Sequence, residues 1–90
     1  MPNTSVSNIT TGAALAEIVR RFAPRDRSAL PLNAGTHLID DMGIDSPRMI
    51  DIVLEMEDRF DIVIDDAAVQ RVRTFGDMER LVAELTGADR

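Results

Sequence analysis

The chain has 90 residues, 44% of them hydrophobic, no cysteine and a formal net charge of −6. A chain of this length forms one modest core and leaves little room for a deep catalytic cavity. The missing cysteines exclude disulfides, thiolate metal sites and a protein thiol nucleophile, and the acidic balance disfavours nucleic-acid binding.

No apolar run reaches the length of a membrane span, so no membrane insertion is expected. The start, MPNTSVSNITTG, lacks the basic region and apolar core of a secretory signal, and the expected location is the cytoplasm. Residues 1–10, rich in Ser, Thr and Asn, are read as a mobile tail, and 11–87 as a single domain. Thr10 or Thr11 is placed to cap a first helix, whose apolar face is Leu15, Ile18, Val19 and Phe22. Pro24 ends it. Residues 24–45 form a connection too long to be idle. Leu30, Leu32, Leu38, Ile39, Met42 and Ile44 are expected to pin it over the core, with a helical turn near 36–42.

The second helix is the clearest, with Met49, Ile52, Val53, Met56 and Phe60 in one arc. Ser46 is a favoured N-cap type and Pro47 then falls at the first helical position. Asp61 to Asp66 is turn-like, and Asp65 or Asp66 caps a short third helix through Val72. Thr74-Phe75-Gly76-Asp77 has the form of a capping box. It opens a last helix with Met78, Leu81, Val82 and Leu85 inward. The predicted class is all-α: four helices, a long first loop and a short third helix.

Charge is uneven along the chain. Residues 40–66 hold ten acids and two arginines, net −8, whereas 1–39 sum to +2 and 67–90 to zero. Most such runs are solvated faces; this one is also suited to docking a basic partner. On the second helix Pro47, Ile50 and Leu54 lie off the core stripe, with Asp51, Glu55 and Asp58 beyond them on the outer face. Either the bundle wraps far enough to bury Ile50 and Leu54, or an apolar strip rimmed by acids marks a partner site. All ten basic residues are arginine, with no functional reason legible in the sequence.

Other chemistries fit less well. A Ser46–His37–Asp triad lacks an oxyanion-hole loop. The stretch from Asp40 fails as a calcium loop, because Met42 and Ile44 stand where oxygen ligands are needed. No metal site is expected.

The stretch DDMGIDSPRMIDIVLEMEDRFDIVIDD, followed by RTFGDMERLV, resembles the acyl carrier protein family. The likeness lies in Asp45-Ser46, the acidic helix 46–60, Phe60-Asp61-Ile62 and Thr74-Phe75-Gly76-Asp77, over about residues 36–85. It implies a non-enzymatic four-helix carrier, monomeric, with 4'-phosphopantetheine from coenzyme A on Ser46. A phosphopantetheinyl transferase would attach the arm, whose thiol holds acyl groups as thioesters for fatty-acid, specialised lipid or polyketide-type synthesis. Asp45 matches the acid before that serine, and Phe75 an apolar position near the arm. Ile50, Asp51, Leu54 and Glu57 match docking positions for partner enzymes with basic patches, to which Pro47, Glu55 and Asp58 are added here from the helix pattern. Two residues depart from the family: Pro47 replaces a leucine and Arg48 a residue that is often acidic. Arg48 is expected to pair with the phosphodiester or to repel a partner arginine. The alternatives are a helical interaction module in which Ser46 is only an N-cap, and a degenerate carrier that Pro47 has closed to the transferase.

Overall fold

The structure is a computed structural model and describes residues 11–87. The expected tail 1–10 lies outside the described residues. So does Thr10, and Thr11 is already helical. Among the described residues four helices follow in order: α1 (Thr11–Phe22), α2 (Ser46–Phe60), α3 (Asp66–Arg71) and α4 (Phe75–Thr86). No strand forms among the described residues beyond one isolated bridge, between His37 and Thr74.

The core follows the 3.6-residue period. Leu15, Ile18 and Val19 of α1, Ile52 and Met56 of α2, and Met78 and Val82 of α4 are buried. Met49, Val53, Phe60 and Leu81 pack half-buried at the edges. Three residues expected to face inward do not, one in α4 and two in the loop. Leu85, in the last turn of α4, is 43% exposed, and Ile39 of the loop is 54% exposed; Leu30 is also exposed. The other expected pins hold: Leu32 packs half-buried against the core, and Leu38, Met42 and Ile44 are buried. Between them the chain closes one helical turn, with Asp41 N–H donating to His37 O (2.9 Å) and Gly43 N–H to Ile39 O (3.0 Å). Gly43 ends that turn at φ +69°, a conformation only glycine adopts cheaply.

The long loop is also paired to the start of α4. Leu38 N–H donates to Arg73 O (2.9 Å), Phe75 N–H to Thr36 O (2.9 Å) and Gly76 N–H to Ala34 O (3.0 Å). The first N–H groups of a helix have no partner within it, and here the loop supplies two. Thr74 Oγ1 accepts from Asp77 N–H (3.1 Å), while Asp77 Oδ2 accepts from Thr74 N–H (3.1 Å) and Arg73 N–H (3.0 Å). The capping box read from the sequence is thus complete. These bonds, first those from Arg73 and Thr74 N–H, hold the Asp77 carboxyl below its ordinary value of 3.8. A depressed folded-state value stabilises the fold above the unfolded-state value and loses that contribution as pH falls through the folded one. Acid titration of wild type and Asp77→Asn, followed by helical circular dichroism, should therefore show the two most separated well above the ordinary value of 3.8 and drawing together only as pH falls through the depressed one.

Guanidinium groups hold the loop from the other side. Arg20 Nη1 donates to Ser28 O (2.9 Å) and Leu30 O (2.7 Å), and Arg27 Nη1 donates to Asp41 O (3.0 Å). A planar guanidinium bridges backbone carbonyls in a fixed geometry that an ammonium does not reproduce. This gives the all-arginine composition a structural reason at those positions. Arg20→Lys is expected to cost about 1 kcal/mol, seen as a Tm lower by about 4–8 °C and faster amide exchange around Ser28 and Leu30.

Candidate functional site

The N-terminus of α2 is built differently from that of α4. Its N-cap is Asp45, extended at φ −88° and ψ 175°, whose Oδ1 accepts from Arg48 N–H at 3.0 Å. Ser46 is the first helical residue and Pro47 the second. The expected cap at Ser46 is therefore displaced by one residue. Aspartate and serine are equally good caps, and the aspartate takes the role because proline is also tolerated one position further into the first turn. The consequence for Ser46 is chemical. Its hydroxyl is exposed, does no capping, and has no hydrogen-bond partner among the described residues.

The same turn offers few donors to an anion. Pro47 has no N–H, Arg48 N–H is engaged by Asp45 and Met49 N–H by Asp45 O (2.9 Å). Only Ser46 N–H is left in the first turn. The usual attraction of a helix N-terminus for phosphate rests on several such groups, and here it is reduced, with an aspartate beside it.

Arg48 lies on the flank of α2 that faces α1. Its Nη1 donates to Phe22 O at 3.3 Å. Further along that flank Glu55 pairs with Arg21 (3.2 Å) and Arg59 with Glu17 (3.0 Å). Glu55 is thus turned toward α1 and does not join Asp51 and Asp58 on the outer face. Glu57 is also engaged inside the molecule, since its Oε2 accepts from Ile64 N–H at 2.8 Å and anchors the turn into α3. That turn passes through Asp61 at φ +56°, and Asp65 then caps α3 by accepting from Ala68 N–H at 2.8 Å.

The apolar strip is real. Ile50 is 59% and Leu54 57% exposed, and Pro47 is exposed with them, as are Asp51 and Asp58. A groove of about 190 Å³ runs beside the strip, lined by Ile50, Val53, Leu54, Glu57, Ile64, Asp66 and Val69. The groove between α2 and α3 was not legible in the sequence, because it depends on where the short α3 docks. Phe75 is 4% exposed, so any contact it makes with an arm or acyl chain lies inside the bundle. His37 Nδ1 accepts from Asp40 N–H (3.2 Å) and serves the loop turn, which leaves nothing to support a triad. No metal-binding group of His, Asp or Glu occurs among the described residues, and no helix there is long and apolar enough to cross a membrane.

Known proteins share this architecture. The family model described as "Phosphopantetheine attachment site" matches residues 13–82. The acyl carrier protein of Thermotoga maritima is 36% identical over 50 residues, 56% of this chain and 62% of its own length. That of Phenylobacterium zucineum is 40% identical over 50 residues, 56% of this chain and 63% of its own. The matched region thus spans less than two thirds of these relatives. A structure from Mycobacterium tuberculosis, provisionally named an acyl carrier protein, superposes with a TM-score of 0.75 at 31% identity. That match covers 83% of this chain and 97% of the other. The exposed, uncommitted Ser46 hydroxyl leaves room for a covalent group at this end of α2. With the fold, the matched region and the serine-bearing turn in agreement, the chain belongs to the acyl carrier protein family, whose members are carriers, not enzymes, and bear covalent 4'-phosphopantetheine.

Proposed function

We propose that the domain 11–87 carries acyl intermediates on an arm attached to Ser46. In the loading step Ser46 Oγ forms a bond to the phosphorus of coenzyme A that bears the pantetheine. The pyrophosphate bond breaks, adenosine 3',5'-bisphosphate leaves, and the hydroxyl proton passes to a base of the transferase. The observation that carries this reading is the Asp45 cap, which leaves Ser46 Oγ exposed and unbonded. When bound, the arm supplies a terminal thiol that holds acyl groups as thioesters. With no cysteine in the chain, no protein thiol competes for them.

Partner docking is assigned to Pro47, Ile50 and Leu54, with Asp51 and Asp58 at the rim. Exposed apolar groups rimmed by charge mark interaction sites, and the acids suit transferases and acyl-handling enzymes with basic patches. Glu55 and Glu57 contribute less, being tied to Arg21 and to Ile64 N–H. The pathways such a carrier serves are fatty-acid, specialised lipid or polyketide-type synthesis, in the cytoplasm.

Incubation with coenzyme A and a broad-specificity transferase tests the reading. The intact mass should rise by one phosphopantetheine, and Ser46→Ala should remove the increment. No increment with any transferase, that of the native host included, would contradict it.

A further inference from the structure

Ser46 stands on a turn tied down from both directions. The middle and end of α2 are fixed to α1 by the Glu55–Arg21 and Arg59–Glu17 ion pairs. The first turn has a separate tie, from Arg48 Nη1 to Phe22 O (3.3 Å). The backbone N–H of the same arginine holds the Asp45 carboxylate at 3.0 Å. Ahead of the turn, Arg27 Nη1 holds Asp41 O (3.0 Å). Gly43 lies against Pro24 so closely that a Cβ there would sit 3.3 Å from Pro24 Cγ. The segment 41–48 therefore hangs on residues 22–27 through two guanidinium–carbonyl bonds and one close approach, and Arg48 is its last fixing point.

On the reading of Ser46 as the attachment site, we infer that Arg48 is a positioning residue for loading. It acts through Ser46, by holding the first turn of α2 to the C-terminal end of α1. Residues two apart on a helix do not face one another, and its guanidinium lies on the α1 side. The transfer needs Ser46 Oγ aligned with a phosphorus atom, and such steps are sensitive to displacements of about 1 Å. Without the guanidinium, the first turn loses its side-chain tie to α1 and keeps the Asp45 cap, the Met49 N–H bond to Asp45 O and the packing of Ile44 and Met49, and helix ends with fewer ties fray more readily. Pro47 completes the device, since its fixed φ stiffens the residue that links Ser46 to Arg48.

The test is transferase kinetics with the carrier as the varied substrate, after intact mass has shown that the native chain is loaded. Arg48→Gln is expected to lower kcat about three- to tenfold, the loss of one hydrogen bond's worth of alignment, with KM within about twofold. Arg48→Lys should recover part of it. Arg20→Gln, which removes guanidinium bonds to Ser28 O and Leu30 O, serves as the control: it should lower Tm and leave kcat unchanged. An unchanged kcat in Arg48→Gln overturns the inference. So does an equal fall in Arg20→Gln, which would make the effect one of general loosening, or a change confined to KM, which would make Arg48 a contact with the transferase. Failure of the native chain to load at all defeats the attachment reading itself, and the inference with it.

Discussion

Ile52→Ala is expected to destabilise the fold by about 2–5 kcal/mol, and Ile50→Ala, two residues away, by no more than about 0.5 kcal/mol. Ile52 is fully buried between the helices, and its truncation leaves a cavity as well as losing transfer free energy. Ile50 is 59% exposed on the strip beside Ser46. Thermal melts should show Ile52→Ala lower by about 10 °C or more and Ile50→Ala close to wild type. Function should divide the opposite way. If Ile50 docks partners as proposed, Ile50→Ala removes an apolar contact of the kind that costs about 1–2 kcal/mol in an interface, and KM for a transferase should rise about five- to thirtyfold. Folded Ile52→Ala, assayed well below its Tm, should keep a KM close to wild type. Equal losses of stability in the two variants would contradict the assignment of faces on α2.

Gly76→Ala is expected to destabilise by about 1–3 kcal/mol, against the direction of helix propensity, which favours alanine over glycine by about 0.5–1 kcal/mol within helices. Gly76 is the second residue of α4, and its N–H donates to Ala34 O. A Cβ at this position would lie 2.8 Å from Ala34 O and 3.1 Å from Ala34 Cα. These are backbone atoms, so no side-chain rotation relieves the clash. The loop must back away, and its bonds to Phe75 and Gly76 N–H lengthen with it. Denaturant titration checks this, and a variant as stable as wild type would show that the loop does not rest on α4 as described.

The elements with periodic apolar faces were legible in the sequence because periodicity reports which side of a helix is buried. So was the Thr74–Asp77 box, whose partners are three residues apart. What was not legible depended on contacts distant in sequence. The pattern placed Glu55 beside Asp51 and Asp58, but Arg21, thirty-four residues away, draws it toward α1. Glu57 matched a docking position, yet the chain returns after Asp61 and brings Ile64 N–H to its carboxylate. Gly76 belonged to the family pattern without a visible cause; the cause is the backbone of Ala34. The cap of α2 lies one residue before the position the sequence suggests, because Asp45 and Ser46 are both good caps and Pro47 fits either of the first two helical positions. That single step separates a serine engaged in its own helix from one that is available for attachment.

Peptide mapping locates the arm proposed for Ser46 Oγ. Trypsin should release residues 28–48 as one peptide, which contains Ser28, Thr36 and Ser46. After loading from coenzyme A, fragmentation of that peptide should place the phosphopantetheine on Ser46 alone. An increment on Ser28, on Thr36 or on any other peptide would contradict the account.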